Sequence, residues 1–209
     1  MKVLVACEES QEVCKAFRER GHEAYSCDIQ ECSGGHPEWH IQGDVLPLLD
    51  GNCCFITSGG QTVSIDGKWD LIIAHPPCTE LCSSGQRWFT EGRKPYDLQR
   101  KAIAFFYKFV MADCDKIAIE NPVGIMSTAY RKADCIINPW QFWHPEQKKT
   151  CLWLKNLTPL HETNNVYEYM MTLPVKQRTR IHWLGSGKGK ERSKTYPGIA
   201  KAMAEQWGG

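Results

Sequence analysis

The chain has 209 residues, of which 42% are apolar and 23% charged, with 25 lysines and arginines against 24 aspartates and glutamates. This composition suits one globular domain, and the net charge of +1 excludes both charge-driven disorder and a histone-like polycation. No apolar run approaches the roughly 20 residues of a membrane-spanning helix. The N-terminal apolar stretch turns acidic at Glu8, too early for a signal-peptide core, so we expect a cytoplasmic protein.

The first 27 residues predict a strand, a helix and a second strand. Lys2–Cys7 is a short run of apolar and β-branched residues typical of a buried strand. Gln11–Arg20 has apolar residues on one helical face, with Ser10 as the expected cap and Gly21 after its end. His22–Cys27 predicts the second strand. Such a βαβ unit implies a parallel sheet.

The alternation of strands and helices continues along the chain. Gly43–Val45 closes a third short segment. Further on, the sequence predicts a hairpin over Cys53–Ile65, strands over Trp69–Ala74, Lys116–Ile119 and Lys149–Leu154, and helices over Asp97–Val110 and Pro197–Trp207. We therefore predict an α/β fold with a mostly parallel twisted sheet flanked by helices.

Charge is distributed unevenly along the chain. Residues 1–145 contain 14 basic and 19 acidic side chains, whereas residues 146–209 contain 11 basic and 5 acidic ones. The basic side chains of the second segment lie among aromatic residues and glycines. This pattern is typical of a surface that binds phosphates, and equally of a solvated loop face, so composition leaves both open.

Polar residues follow four of the predicted strands, at Cys7–Glu9, Asp28–Ile29, His75–Thr79 and Glu120–Pro122. In open α/β sheets, ligands bind outside the carboxyl ends of the strands. These four segments are therefore the candidate site.

Cys78 and Glu120 carry the most specific chemistry among these segments. Two prolines precede Cys78 and hold its loop rigid, as a nucleophile requires. If the two strands are neighbours, the thiol and the carboxyl share one pocket, where a buried glutamate would have a raised pKa and could donate a proton. A nucleophilic thiol beside an acid suits addition to an electron-poor ring. The alternative is a packing role, because the chain has eleven cysteines.

Other patterns leave two interpretations open. Cys27, Cys32, His36 and His40 have ligand types that zinc accepts, but buried thiols and loop histidines explain them as well, and we predict no metal. The loop 33–40 would either cover the sheet edge or close over a cofactor. The aromatic residues Trp140, Phe142, Trp143 and Trp153 would either anchor the core or stack on bases.

Two motifs resemble those of the DNA cytosine-5 methyltransferases. Asp70–Cys78 resembles the Pro-Cys motif of that family, and Ile119–Val123 resembles its Glu-Asn-Val motif, about 40 residues further on. The whole chain is similar to the short phage- and prophage-encoded cytosine methyltransferase-like proteins. The resembling stretches are Cys27–Val45, Trp69–Thr79, Glu120–Gly124, Trp140–Leu154 and Tyr196–Trp207.

The resemblance implies a Rossmann-like fold that uses S-adenosylmethionine as methyl donor. Cys78 would attack C6 of cytosine, Glu120 would protonate N3, and C5 would take the methyl group. The residues implied in cofactor binding are Cys7, Glu8, Glu9, Ser10, Asp28, Ile29, Asp44 and Pro76. Those implied in substrate binding are Pro77, Thr79, Asn121, Lys148, Lys149, Arg178 and Arg180.

The resemblance also divides the chain. Residues 1–154 would form the catalytic domain, 155–194 a small basic loop region in place of a target-recognition domain, and 195–209 a helix that packs back on the catalytic domain. The family's glycine-rich cofactor loop is absent from Ala6–Ser10, and Thr79 replaces its usual glutamine. The expected partner is DNA with a single-stranded or flipped cytosine, and neither a membrane nor a protein partner is inferred.

Two other functions remain as alternatives. The short recognition segment would also suit a methyltransferase that acts on RNA or on a free pyrimidine nucleotide. A nucleic-acid-binding protein that kept the scaffold without catalysis is the alternative from another class.

Overall fold

The computed structural model describes residues 1–185 and 187–209. The strands are β1 (Lys2–Ala6), β2 (Glu23–Asp28), β3 (His40–Gln42), β4 (Cys53–Ile56), β5 (Thr62–Ile65), β6 (Leu71–Ala74), β7 (Ile117–Pro122), β8 (Cys135–Ile137) and β9 (Thr150–Lys155). The α-helices are α1 (Glu12–Glu19), α2 (Gln86–Thr90), α3 (Tyr96–Val110), α4 (Met126–Ala129), α5 (Tyr167–Thr172), α6 (Val175–Arg178), α7 (Arg180–Trp183), α8 (Gly189–Ser193) and α9 (Pro197–Trp207).

Seven strands form the central sheet in the order β3-β2-β1-β6-β7-β9-β8. The first five are parallel, and β9 runs antiparallel to both of its neighbours. The predicted α/β fold with a mostly parallel sheet flanked by helices is confirmed. The chain order along the five parallel strands reverses direction at β1, and the crevice between β1 and β6 is the place where doubly wound sheets bind ligands.

Alternate residues of each central strand enter two separate apolar cores, as the two-residue period of a strand requires. Leu4 and Ile72 lie in the core on the side of α3. Val5 and Ile73 lie in the core on the other side, which also contains buried residues of α1 and α9. The C-terminal helix therefore packs beside α1 on the sheet. The three-part division of the chain stays a prediction.

The first helix is capped differently from the prediction. Ser10 does not cap it. Gln11 precedes the helix with a φ of 58°, and its side chain makes no capping hydrogen bond. The carboxylate of Glu8 instead accepts hydrogen bonds from the backbone N–H groups of Val13 and Cys14, at 2.7 and 3.2 Å. A carboxylate at this position satisfies free N–H groups and interacts favourably with the helix dipole. Gly21, with a φ of 80°, follows the helix as predicted.

The far side of the sheet contains the main departures from the predicted elements. Strand β7 continues through Glu120 and Asn121 to Pro122, because β9 offers backbone partners beyond the level at which β6 ends. The sequence predicted neither β8 nor the direction of β9. Residues 155–194, expected to form a loop, contain the four short helices α5 to α8. Among the described helices, none is long and apolar enough to cross a membrane.

Candidate active site

Three neighbouring strands end at the same level of the sheet and place their following residues side by side. Ala6 of β1 pairs with Ala74 of β6, and Ala74 pairs with Ile119 of β7. The N–H of His75 then donates to the carbonyl oxygen of Ala6 at 2.9 Å. His75 and Glu120 are therefore adjacent at the carboxyl edge, where the sequence placed the candidate site.

His75 and Glu120 form a nearly buried pair. Nδ1 of His75 donates to Oε2 of Glu120 at 2.7 Å, and the two side chains are 10% and 13% exposed. Burial lowers the pKa of His75, but the hydrogen bond and charge of Glu120, and then the charge of Glu8, outweigh burial and raise the pKa above its ordinary value. The imidazole ring therefore holds a proton more tightly than an isolated histidine does.

Glu120 differs from the prediction in its protonation. Burial raises its pKa, as expected, but the hydrogen bond and charge of His75 oppose burial, and Lys148 adds to them. The net result is a pKa below the ordinary value for glutamate. The expectation of a raised pKa for Glu120 is therefore wrong, because the cationic neighbours outweigh burial.

The Cys78 loop packs directly on the exit of β7. The N–H of Ile125 donates to the carbonyl oxygen of Leu81 at 2.9 Å, and the N–H of Ser83 donates to that of Val123 at 3.0 Å. Gly124 lies at this contact, where a Cβ atom would overlap the carbonyl oxygen of Leu81. The two predicted motifs are thus held against each other by backbone contacts that leave no room for a side chain.

Cys78 itself is half-buried, and the carbonyl oxygen of this residue accepts the N–H groups of Leu81 and Cys82 at 2.9 Å each. Burial raises the pKa of its thiol, and Cys82 and Glu120 raise it further, whereas Lys148 lowers it in part. The charge of Glu120 therefore reaches the sulfur, which places thiol and carboxylate at one site. The net effect is a raised pKa, so the thiol holds its proton more tightly than that of an ordinary cysteine.

Two buried polar atoms of this site have no hydrogen-bond partner within the described residues. They are Nε2 of His75 and Oδ1 of Asn121. The amide nitrogen of Asn121 donates to the carbonyl oxygen of Pro76 at 2.7 Å, which fixes the side chain against the Cys78 loop. Buried polar atoms are normally paired, so the unpaired amide oxygen of Asn121 is a candidate contact for a ligand. Pro76 is buried, whereas Pro77 and Thr79 are exposed.

A second group of predicted residues lies where β1 and β2 end. Cys7 has a φ of 60°. The pKa of its thiol is raised mainly by burial, then by the charge of Asp28, and to a smaller extent by that of Asp44. Oδ1 of Asp28 accepts the N–H of Gln30 at 2.8 Å. The side chain of Ile29 is 77% exposed. A carboxylate, an exposed apolar side chain and the second carboxylate of Asp44 fit the ribose, the purine face and the amino group of a nucleoside.

Glu8, Glu9 and Ser10 are buried, and the carboxylates of both glutamates accept hydrogen bonds from other groups of the protein. Glu8 caps α1, as described above, and Glu9 accepts the hydroxyl of Ser33 at 2.5 Å. A Cβ atom on Gly34 would lie 2.6 Å from the carbonyl oxygen of Ser10, so loop 33–36 rests on this turn. Direct contact of these three side chains with a cofactor stays a prediction.

The predicted basic residues fall into two groups. Lys148 is half-buried, and its Nζ atom donates to the carbonyl oxygen of Arg192 at 2.9 Å. Its charge is near enough to affect the pKa of Cys78, His75 and Glu120. Lys149 is exposed. Arg180 is engaged in ion pairs with Glu146 at 3.2 Å and Glu191 at 2.5 Å, and Arg178 is half-buried with its Nε atom unpaired within the described residues.

The aromatic residues of this region also divide. Phe142 and Trp153 are buried in the two cores, which is the packing role. Trp140 packs edge-on against Tyr167 at 5.0 Å between ring centroids. Trp143 is 69% exposed, so it is the member of the set with a face free for stacking.

The cysteine and histidine array is used in other ways. Both ring nitrogens of His40 have partners, Oγ of Ser26 and the carbonyl oxygen of Gln30, each at 2.9 Å. His36 stacks on Trp39 with ring centroids 3.9 Å apart. In residues 1–185 and 187–209, no cluster of three or more His, Cys, Asp or Glu side chains is arranged to hold a metal ion.

The sequence placed His75 in the candidate segment His75–Thr79 but gave it no role of its own. Its signal was present, since it stands between the end of a strand and the two prolines of the motif. Two cavities of the described residues lie away from the His75–Glu120 pair. One of about 330 Å³ is lined by residues such as Cys32 and Ile56, and one of about 300 Å³ by residues such as Tyr130 and Arg131.

Comparison with known proteins finds similarity at the level of solved structures. No protein-family model and no curated protein matches the chain. The chain is similar to a candidate DNA modification methyltransferase encoded within a prophage of E. coli, with 13% identity, a TM-score of 0.43 and coverage of 74% of this chain and 46% of that one. It is also similar to S. pombe Dnmt2 methyltransferase, with 14% identity, a TM-score of 0.45 and coverage of 86% and 56%.

A third similar structure is the Entamoeba histolytica methyltransferase EhMeth, with 12% identity, a TM-score of 0.44 and coverage of 79% of this chain and 57% of that one. The chain thus spans about half the length of each of these three structures.

Proposed function

We propose that this protein is an S-adenosylmethionine-dependent methyltransferase that transfers a methyl group to C5 of cytosine in DNA. The observation that carries the proposal is the packing of the Cys78 loop on the exit of β7, which puts the thiol and the Glu120 carboxylate at one edge of the sheet. A nucleophile beside a proton-handling pair is the arrangement that addition to a pyrimidine ring needs.

The cofactor residues fit the proposal. S-adenosylmethionine supplies an electrophilic methyl group when it is bound. Asp28, Ile29 and Asp44 would hold its nucleoside part, for the chemical reasons given above, and the turn at Cys7 would approach it with backbone. This end of β1 and β2 lies next to the crevice between β1 and β6, so the cofactor would meet the ring from the side of His75–Thr79.

The ring would be activated by Cys78. Its thiol first loses a proton to solvent, and Lys148 is the nearby cation that favours the thiolate. The sulfur then bonds to C6 while N3 of the ring receives a proton by way of Glu120, and C5 becomes nucleophilic. Oδ1 of Asn121 is an unpaired acceptor of the kind that the amino group of cytosine satisfies. After methyl transfer the C5 proton would leave to solvent, the C6–sulfur bond would break to release the Cys78 thiolate, and N3 would return its proton through Glu120.

The contact with nucleic acid would combine charge and stacking. Lys148 and Lys149 lie just before β9 and would bind phosphates, with Arg178 beside them. Trp143 and Trp183 are 69% and 63% exposed, which suits stacking on unpaired bases. The target cytosine would have to be single-stranded or flipped, because Cys78 must reach a ring face.

The test is covalent trapping and product analysis. Incubation of the protein with labelled S-adenosylmethionine and DNA should give 5-methylcytosine, and an oligonucleotide containing 5-fluorocytosine should form an adduct at Cys78. Cys78→Ser should abolish both, whereas Cys54→Ser, a matched change at an exposed cysteine of β4, should affect neither. Parallel arms with RNA and with free cytidine nucleotide decide between substrates, and absence of methylation on all of them refutes the proposal.

Two observations favour a second candidate, a nucleic-acid-binding protein without catalysis. The thiol of Cys78 has a raised pKa, and the carboxylate of Glu8 already fills the N-terminus of α1, a position that could otherwise bind an anion. In that case plain DNA would bind with strong salt dependence, while the fluorinated oligonucleotide would form no adduct. Trapping at Cys78 would exclude this candidate.

A further inference from the structure

The strongest unexplained group in the site is His75, which no motif of the resemblance assigns. It lies at the end of β6, one residue before the two prolines that lead to Cys78. Its ring is nearly buried against the Glu120 carboxylate, and its backbone N–H donates to the carbonyl oxygen of Ala6 at the end of β1. A buried imidazole in hydrogen-bond contact with a proposed acid is placed to control that acid's proton.

We propose that His75 stores the proton that Glu120 passes to N3 of the pyrimidine ring, so that the working acid is the His75–Glu120 pair. The inference rests on the proposed function. His75 acts through Glu120 and touches no reacting atom, so it is a positioning and relay residue. The 2.7 Å contact from Nδ1 to Oε2 is the path of the proton.

The hydrogen bond from Nδ1 to Glu120 is the route by which a proton can leave the His75 ring. Nε2 of His75 is buried and has no hydrogen-bond partner among the described residues. Protons on histidine exchange quickly when a ring nitrogen meets solvent or a polar group, and here Nδ1 has such a partner. The charged groups that face the pair are Glu8 from the turn after β1 and Lys148 from the segment before β9.

The charges around the pair agree with a stored proton. Glu8 favours the imidazolium form of His75, and Lys148 favours the carboxylate form of Glu120. An ionised glutamate cannot by itself protonate N3, so a second group has to supply the proton. The fixed imidazolium beside it meets this need without a water channel.

The step balances in atoms and charge. The Nδ1–H bond of His75 breaks, Glu120 transfers the proton, and an N3–H bond forms on the ring as the Cys78 thiolate bonds to C6. The imidazolium becomes neutral imidazole, the carboxylate is unchanged, and the negative charge of the thiolate is consumed in the adduct. Nothing is oxidised or reduced.

The experiment compares adduct formation on a 5-fluorocytosine oligonucleotide by the full chain and two variants. His75→Asn keeps a hydrogen-bond donor toward Glu120 but has no transferable proton, and His75→Ala leaves space for a small ring. Both should form the adduct on the order of 100-fold more slowly, a common effect of losing a proton donor. His161→Ala, at an exposed histidine, is the matched control and should behave like the unmodified protein.

Added imidazole should restore adduct formation by His75→Ala, and more so as the pH is lowered and imidazolium becomes the main form. Pyrazole, a ring of the same size that stays neutral near neutral pH, should not restore it. Equal restoration by both rings would show that His75 only fills space and would overturn the relay. Full adduct rates in His75→Asn would overturn it as well.

Nitrogen NMR of the substrate-free protein separates this inference from the proposed function. His75 should be an imidazolium near neutral pH, and Glu120→Gln should make it neutral. A neutral His75 overturns the relay even when the protein traps cytosine, and the proposed function then stands. Failure of the unmodified protein to trap cytosine, with His75 charged, overturns the function and with it the delivery to N3.

Discussion

Gly124 is the point at which the two halves of the candidate site touch, and Gly124→Ala tests how much that contact matters. A Cβ atom there would overlap the carbonyl oxygen of Leu81 and lie 2.8 Å from its carbonyl carbon and 2.9 Å from Cα of Cys82. All three neighbours are backbone atoms, and carbon atoms normally approach to about 3.5 Å. The Cys78 loop would have to move from the exit of β7 by roughly 1 Å to restore ordinary contacts.

Such a movement has two expected costs. Overpacking of this kind lowers the free energy of unfolding by about 1–3 kcal/mol. A nucleophile displaced by roughly 1 Å loses on the order of 100-fold in rate. Two hydrogen bonds, from Ile125 to Leu81 and from Ser83 to Val123, would also lengthen.

Urea denaturation and the rate of fluorocytosine trapping measure the two effects in the same preparations. Gly185→Ala is the matched control, because a Cβ atom there would meet nothing within 4 Å. An unfolding free energy within about 0.5 kcal/mol of the unmodified protein, together with an unchanged trapping rate, would show that the two loops are not held by this contact.

Three further results are expected. The His75–Glu120 pair should stabilise the fold most between about pH 4.5 and 6.5. Because the pKa of His75 is raised in the folded protein, this stabilisation is lost as the pH rises through the folded pKa of His75. Because the pKa of Glu120 is lowered, it is also lost as the pH falls through the folded pKa of Glu120. Urea titrations at several pH values should show this dependence, and His75→Asn should flatten it. Asp28→Asn should weaken binding of S-adenosylhomocysteine by about tenfold in calorimetry, since one charged hydrogen bond is lost, and equal affinity would remove Asp28 from the cofactor site. Lys149→Gln should reduce the salt dependence of DNA binding by about one phosphate contact. Arg180→Gln should leave the salt dependence unchanged, because the ion pairs of Arg180 are internal. A reduced salt dependence in Arg180→Gln but not in Lys149→Gln would instead place Arg180 at the nucleic acid.

The strands and helices with strong local patterns were predictable from sequence. Trp69–Ala74 is a continuous apolar run ended by two prolines, and Pro197–Trp207 has a proline at its start, so β6 and α9 appear where the pattern places them. The end of β7 was not predictable, because it depends on the partner strand β9, which is distant in sequence. The capping of α1 by Glu8 was not predictable for a local reason, because the usual cap is the residue directly before the helix and Glu8 lies further upstream.

The site shows a similar division. The adjacency of the Cys78 and Glu120 segments followed from the rule that ligands bind at the carboxyl ends of strands. The protonation of Glu120 did not follow, because it depends on His75 and Lys148, whose distances from the carboxylate no sequence pattern gives. Burial alone predicted the wrong direction for the pKa of Glu120, since a buried carboxyl with cationic neighbours is governed by those neighbours.

The reversed direction of β9 has a consequence for how the site is built. The five parallel strands end at the edge of the sheet that holds the candidate site, whereas β9 begins there. The segment that carries Lys148 is therefore the connection that leads into β9. That connection is separate in sequence from the two segments that carry Cys78 and Glu120. The positive charge of Lys148 near the thiol therefore comes from a different segment of the chain than Cys78 and Glu120 do.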